Sequence, residues 1–229
     1  KAMKAHNAPK LVGILSTHHH WDHSGKNKEL LVALPNKVPI YGGDDRIPAL
    51  SDLVKDQQIL KFSEHLHVQA FSTPCHTKGH ILFHVYDPED STSSTHLFTG
   101  DTLFIGGCGR FFEGDGQQMV YALFDVVQKK FAEKTQVWVG HEYTLANYQF
   151  AMSVDPTNDA LKEANEIATL KRSRQLPTVP STIKLERDTN PFMRVDQLSI
   201  RKSLELDEKA SNAQVMSKLR ETKNNFKSN

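Results

Sequence analysis

Six short apolar runs punctuate the first 140 residues: "LVGIL" (11–15), "VPIYG" (38–42), "HVQAF" (67–71), "HILFHVY" (80–86), "HLFTG" (96–100) and "VWVG" (137–140). Runs this short, separated by polar and turn-forming residues, read as buried strands rather than helices. Helical spacing appears between them. Ser24 is placed to cap a helix running to about Leu34, and Gln117 to Lys130 carries apolar residues at a period near 3.6. Beyond His141 that period dominates. It runs through 144–175, with a break at Asp155-Pro156 where Thr157 is placed to cap a second helix. A connector containing Pro and Thr, "LPTVPSTIKLERDTNPFMR" (176–194), follows, and Asn212 to Phe226 reads as a last helix. The pattern predicts an α/β domain over residues 1–141 and a mainly helical one over 142–229, without internal repeats.

Composition narrows the function. At 229 residues, 38% hydrophobic and 24% charged, the chain has the make-up of a globular protein with a sizeable core. A formal charge of +1 offers no field to recruit nucleic acid or an anionic membrane, and no apolar run approaches a membrane span. Two cysteines, Cys75 and Cys108, are too few for a disulfide framework, so a reducing compartment is expected. The chain begins with Lys1 rather than Met, so it is read as a fragment.

The chemistry lies where the strands end. "LVGILST" runs into His18, "VQAFSTPC" into His76, "HLFTG" into Asp101 and "VWVG" into His141. Ligands of open α/β sheets collect at carboxyl ends of strands, so these residues can converge at one edge. The first of them opens a dense cluster, "STHHHWDH" (16–23), which holds His18, His20, Asp22 and His23 in alternation. A purification tag would not embed Trp21 and Asp22 after a buried strand. Imidazole and carboxylate suit zinc, iron or manganese without either cysteine. Seven candidates are too many for one tetrahedral ion, and with one carboxylate bridging they divide between two.

Four stretches in order, "THHHWDH", "PCHTKGH", "FTGD" and "VGHEY", resemble the metallo-β-lactamase fold, an αββα sandwich. "GDTLFIGGCGRFFEG", "GHEYTLANYQFA", "TNPFMR" and "KLRETKNNF" are similar to stretches of the hydroxyacylglutathione hydrolases, also called glyoxalase II. The resemblance implies that His18, His20 and His76 hold a first metal, Asp22, His23 and His141 a second, and Asp101 bridges both. Asp22 and Asp101 would then be catalytic as well as ligating, and zinc the expected ion. It implies hydrolysis of S-(2-hydroxyacyl)glutathione, S-D-lactoylglutathione above all, by attack of a metal-bridging hydroxide. That reaction belongs to methylglyoxal detoxification. It further implies glutathione contacts from Arg110, Tyr143, Arg220 and Lys223, the second domain closing over the site. His19 is not a ligand on this reading. His80 either supports the ligands from behind or is structural, Cys108 is a buried thiol, and His6, His65, His67, His84 and His96 have no ligand-like context.

Three departures from the family pattern stand out. Arg110 replaces a common Lys, and Phe112 replaces a common Tyr, which removes one hydroxyl from the substrate's surroundings. The family also has strands ahead of the segment matching Lys1 onward, so a chain without them is expected to be less stable. A monomer acting on a small molecule, in the cytoplasm or a mitochondrion, is expected. The rivals are a glutathione persulfide dioxygenase, which needs only one iron, and a non-catalytic metal-binding scaffold. The complete seven-donor set argues against both.

Overall fold

Alternation along the central strands sets the layering. In β6 (Ile81–Tyr86), Ile81, Phe83 and Val85 enter one apolar cluster while Leu82 enters another, as the two-residue period of an extended chain requires. The neighbouring β5 (His67–Ser72) divides the same way, with Val68 and Ala70 on one face and Phe71 on the other. Each sheet face therefore needs its own cover. In the computed structural model, which describes residues 11–90, 92 and 95–227, both covers are present.

One face meets a small parallel sheet of β1 (Ile14–Leu15), β2 (Ile40–Gly42) and β3 (Asp52–Leu53). Leu15 and Tyr41 of that sheet pack on the cluster of Val54, Val68, Ala70, Ile81 and Phe83. The large sheet has the order β11-β10-β7-β6-β5-β4, built from β4 (Ile59–Lys61), β5, β6, β7 (His96–Gly100), β10 (Gln136–Val139) and β11 (Ser181–Thr182). A two-residue hairpin pair, β8 (Leu103–Phe104) and β9 (Gly107–Cys108), projects beyond β7. The opposite face of the large sheet buries Leu82, Leu97 and Val137 against Met119, Leu123, Phe150, Val215 and Leu219 from helices. Burying side chains of this size stabilises the fold by about 1.5–3 kcal/mol each. The result is two sheets face to face with helices outside, the α/β sandwich expected.

The helices follow their caps more than their apolar spacing. The helix Gly116–Val120 opens on a capping box in which Asp115 Oδ1 accepts from the Gln118 amide (2.9 Å) and Gln118 Oε1 from the Asp115 amide (3.2 Å). It continues as a π-helical segment, Tyr121–Gln128. Ser24 does not cap a helix to Leu34. The chain instead forms a short turn, Trp21–Ser24, and a separate helix, Asn27–Ala33. The Ser24 hydroxyl is spent inside the first turn, on the carbonyl of His20 at 3.3 Å. The break after Thr144–Val154 falls at Asp155 as expected, but Asn158 rather than Thr157 caps the helix Asp159–Ser173. Asn158 Oδ1 accepts from the Leu161 amide (3.1 Å), and its Nδ2 donates to Asp155 Oδ2 and the Asp188 carbonyl.

The connector holds regular structure. Within it, β11 pairs antiparallel with β10, Thr182 caps the helix Ile183–Thr189, and Asn190 caps a 3₁₀ turn at Pro191–Met193. The helices Leu198–Ser203 and Asn212–Asn225 complete the chain. No helix among the described residues is long and apolar enough to cross a membrane.

Candidate metal centre and adjoining pocket

Strand direction brings the donors together. β5 and β7 are each antiparallel to β6, and β10 is parallel to β7, so β5, β7 and β10 all point the same way. Their carboxyl ends lie at one edge, carrying His76, Asp101 and His141 just beyond. The small sheet delivers the rest. The chain leaves β1, passes His18 and His20, and turns into Trp21–Ser24, which bears Asp22 and His23.

Three groups of donor atoms result, each within 4.8 Å of one another: His18, His20 and His76; His18, His23 and Asp101; Asp22, His23 and His141. His76 Nε2 is 3.1 Å from His20 Nδ1, and His23 Nε2 is 3.0 Å from His141 Nε2. Asp101 lies between the groups, with Oδ1 3.2 Å from His23 Nε2 and Oδ2 3.6 Å from His76 and 3.5 Å from His141. Asp22 Oδ2 is 3.2 Å from His141 Nε2.

This donor set fits metal ions. His18 Nε2 and Asp101 Oδ1 are buried without a hydrogen-bond partner, a costly arrangement unless a cation completes it. Burial, reinforced for His18 by the four neighbouring imidazoles, lowers the affinity of His18, His20, His23 and His76 for protons, His76 to about 4. Neutral imidazoles with free lone pairs are what a metal requires. His76 Nδ1 sits 2.9 Å from the carbonyl of Arg110. A carbonyl only accepts, so Nδ1 carries the proton and Nε2 presents its lone pair to the site. Burial also raises the Asp101 carboxyl to about 6, and a cation beside it would reverse that.

The backbone beneath the donors is held closely. Gly100 has φ +48°, and a Cβ there would stand 2.7 Å from His80 Nε2. A Cβ on Gly140 would stand 2.4 Å from Asp101 Oδ1. Neither position tolerates a side chain. His80, fully buried, accepts the Asp101 amide on Nε2 (3.1 Å) and turns Nδ1 to the hydroxyls of Thr73 and Thr102. It thus orients the backbone that carries a donor.

Other histidines go elsewhere. His19 Nδ1 faces Asp44 Oδ2 at 3.2 Å. His65 pairs with Asp87, His67 and His84 pack on Tyr86, and His96 accepts from Trp138 Nε1. His6 lies outside the described residues. Sequence reasoning passed over the partner of His19. Arg46 bridges Asp44 (2.7 Å) and Glu113 (2.6 Å), and Glu113 also accepts the Lys78 amide (2.7 Å). These contacts tie the loops around the histidine turn to one another.

A cavity of about 230 Å³ is bounded by His76 and Asp101 of the donor cluster and also by Arg220 and Lys223. Arg220 is buried, donates from Nη1 to the Cys108 carbonyl (2.8 Å), and leaves Nε unpaired. Lys223 donates to the Ala146 carbonyl (3.0 Å), and burial lowers its ammonium to about 8. Arg110 and Tyr143 reach the same cavity. Tyr143, 51% exposed, stacks on His141 with ring centres 5.0 Å apart. Phe112, 60% exposed, turns its ring edge-on to His76 and His20 at 5.2 and 5.7 Å. The thiol of Cys108 is buried, which pushes it up to about 11, so it is no nucleophile. Phe104 and Asn147 also bound the cavity. Both lie in stretches singled out for resemblance, but nothing in their type or spacing set them apart.

Known proteins share this arrangement of sequence. A family model described as "Metallo-beta-lactamase superfamily" matches residues 5–141, and one described as "Hydroxyacylglutathione hydrolase C-terminus" matches 142–226. The cytoplasmic hydroxyacylglutathione hydrolase of Arabidopsis thaliana is 42% identical over 196 residues, which are 85% of this chain and 74% of that one. A hydroxyacylglutathione hydrolase of Acaryochloris marina is 44% identical over 191 residues, covering 82% and 72%. Among solved structures, ETHE1 from Myxococcus xanthus superposes with a TM-score of 0.60 at 19% identity, over 96% of this chain and 80% of that one, a likeness of fold. The chain belongs to the hydroxyacylglutathione hydrolase family of the metallo-β-lactamase superfamily.

Proposed function

We propose that this chain hydrolyses glutathione thioesters, S-D-lactoylglutathione first among them, to glutathione and the 2-hydroxy acid. One observation carries the reading: a single cavity joins the His/Asp donor cluster to two cationic side chains, the buried Arg220 and the half-buried Lys223. That span suits a thioester at one end and the carboxylates of the tripeptide at the other.

In this reading His18, His20 and His76 hold one ion, Asp22, His23 and His141 another, and Asp101 serves both. Zinc is the ion proposed, with iron or manganese accepted by the same donors. When bound, the ions supply Lewis acidity and a water activated near neutral pH. The chain supplies the rest. The free Nε of Arg220 and the ammonium of Lys223 receive substrate carboxylates, and Arg110 and Tyr143 hold the peptide nearer the mouth. Phe112 lends an apolar edge beside the acyl group. Asp22 and Asp101 are the carboxylates closest to the reacting atoms. The leaving thiolate is stable enough to depart without a dedicated acid. Residues 1–141 form the catalytic part and 142–229 the substrate-binding part, and a cytoplasmic location suits two free thiols.

The test is loss of S-D-lactoylglutathione by purified protein before chelation, after it, and after metal return. Activity that disappears and returns supports the reading. A folded, metal-loaded protein that leaves the thioester intact refutes it.

A further inference from the structure

The turn between β8 and β9 is gripped by side chains that lie 42 to 86 residues further along the chain. The Gly106 amide donates to Glu186 Oε2 at 2.9 Å. Asn190 Nδ2 donates to the carbonyls of Phe104 (3.1 Å) and Gly107 (3.0 Å) and to Glu186 Oε2 (3.0 Å). Asn147 Nδ2 donates to the Ile105 carbonyl (2.9 Å). Four successive residues thus each have a backbone polar group bonded to a side chain. Glu186 and Asn190 are both fully buried, and Ser181 Oγ donates to the second carboxylate oxygen at 2.5 Å. Gly106 itself has φ +66°, and a Cβ there would stand 2.6 Å from the Tyr148 ring, so the position admits only glycine.

What the turn carries explains the grip. Phe104 before it and Cys108, Gly109 and Arg110 after it bound the cavity. The Cys108 carbonyl accepts from Arg220, and the Arg110 carbonyl accepts from His76. A shift in the turn would therefore move the cavity wall relative to both cationic side chains. A carboxylate buried with no counter-ion among the described residues is expensive, and what Glu186 gives in return is the geometry of the turn.

We propose that Glu186 and Asn190 are positioning residues for substrate binding: they hold the Phe104–Gly107 turn so that the Cys108–Arg110 wall faces Arg220 and Lys223. The proposal rests on the thioester-hydrolase reading for its substrate. Neither side chain lines the cavity or belongs to the donor groups.

The variants to compare with the metal-loaded wild type are Asn190→Ser, Glu186→Ala and Glu186→Gln. Serine keeps an oxygen to cap the Phe192 amide, which Asn190 Oδ1 now accepts at 3.0 Å, but has no amide to reach the turn. Asn190→Ser and Glu186→Ala are expected to raise KM for S-D-lactoylglutathione about tenfold, the scale of a lost buried hydrogen bond. Calorimetric affinity for glutathione alone should fall by the same factor, with kcat and metal content nearly unchanged. Glu186→Gln should stay close to wild type, because its carboxamide oxygen can accept from Gly106 and Asn190 while the Ser181 hydroxyl reverses to accept. Folded variants with unchanged KM and glutathione affinity would overturn the proposal. So would losses confined to kcat and metal content, or a Glu186→Gln variant as impaired as Glu186→Ala. If Glu186→Ala does not fold, Asn190→Ser decides by the same readings. A wild type inert toward the thioester would remove the hydrolase reading instead, and the glutathione affinities would still judge the turn.

Discussion

The donor cluster and the turn behind the cavity wall are built on opposite rules. At the donor end, polar atoms are left incomplete: His18 Nε2 and Asp101 Oδ1 are buried and unbonded, and imidazole nitrogens face one another at 3.0–3.1 Å. At the turn end, the backbone groups are completed by side chains from Asn147, Glu186 and Asn190. An incomplete donor set holds free energy that cations can release on binding. A completed wall costs nothing further to order when substrate arrives. The same small cavity thus joins a part finished by metal to a part finished by folding.

The donor end should be the more fragile. Asp101→Asn removes the one carboxylate lying between the donor groups, and kcat/KM is expected to fall about a thousandfold or more, with reduced metal content. Steady-state kinetics alongside elemental analysis checks both. An Asp101→Asn protein that keeps its ions and its rate would break the contrast at its strongest point. Arg220→Ala tests the far end. Losing charge-assisted hydrogen bonds there should raise KM about 10- to 100-fold at similar kcat, with metal content unaltered. Arg220→Lys should recover part of it. Metal loss in Arg220→Ala would mean that the two ends are not separable.

Legibility in the sequence followed the same divide. The donor end was legible because four donors sit within six residues, 18–23, and each distant donor follows an apolar run. Local density survives translation into one dimension. The strands of five or six residues were legible for the same reason, since β5, β6 and β7 are long enough to show their period. Two-residue strands such as β8, β9 and β11 carry no period to read. Glu186 and Asn190 were hidden in a stretch read only as a connector containing Pro and Thr, and their partners on the turn lie 80–86 residues away. The Arg46–Glu113 pair likewise spans 67 positions. Ser24 and Thr157 had the right chemistry to cap helices, yet buried competition and a better-placed Asn158 set the actual starts. Arg110, Tyr143, Arg220 and Lys223 came from family resemblance, and no spacing rule would have chosen them.

A completed wall can still contain a titrating group. Burial raises Glu186 from 4.5 to about 7, against the opposing effect of its three hydrogen bonds. An acid whose folded value lies above its unfolded one binds more protons when folded, so stability falls as pH rises across that window. Glu186→Gln cannot titrate. Its stability relative to wild type should therefore grow by about 2 kcal/mol between about pH 5 and about pH 8, or about 4–8 °C in Tm. Thermal melts of the two proteins at both pH values give the difference directly, and titrations common to both cancel. A constant difference would mean that Glu186 keeps one protonation state throughout, and the turn's carboxylate would then be no softer than its amides.

The smallest expected effect lies where the two ends meet. Phe112 stands at the mouth, its ring edge against two of the donor histidines and most of its surface open. Because it is exposed, exchanging it disturbs neither the unfinished donors nor the finished turn. Phe112→Tyr adds one hydroxyl that can reach the peptide part of a bound thioester. One such neutral hydrogen bond contributes about 0.5–1.5 kcal/mol, so KM should fall about 2- to 10-fold with kcat and Tm unchanged. Should kcat move instead, the ring's packing on His76 and His20 is felt by the reacting centre, and the mouth belongs with the donor end. A fall in KM alone would place it with the wall, where added contacts improve binding and leave the chemistry as it was.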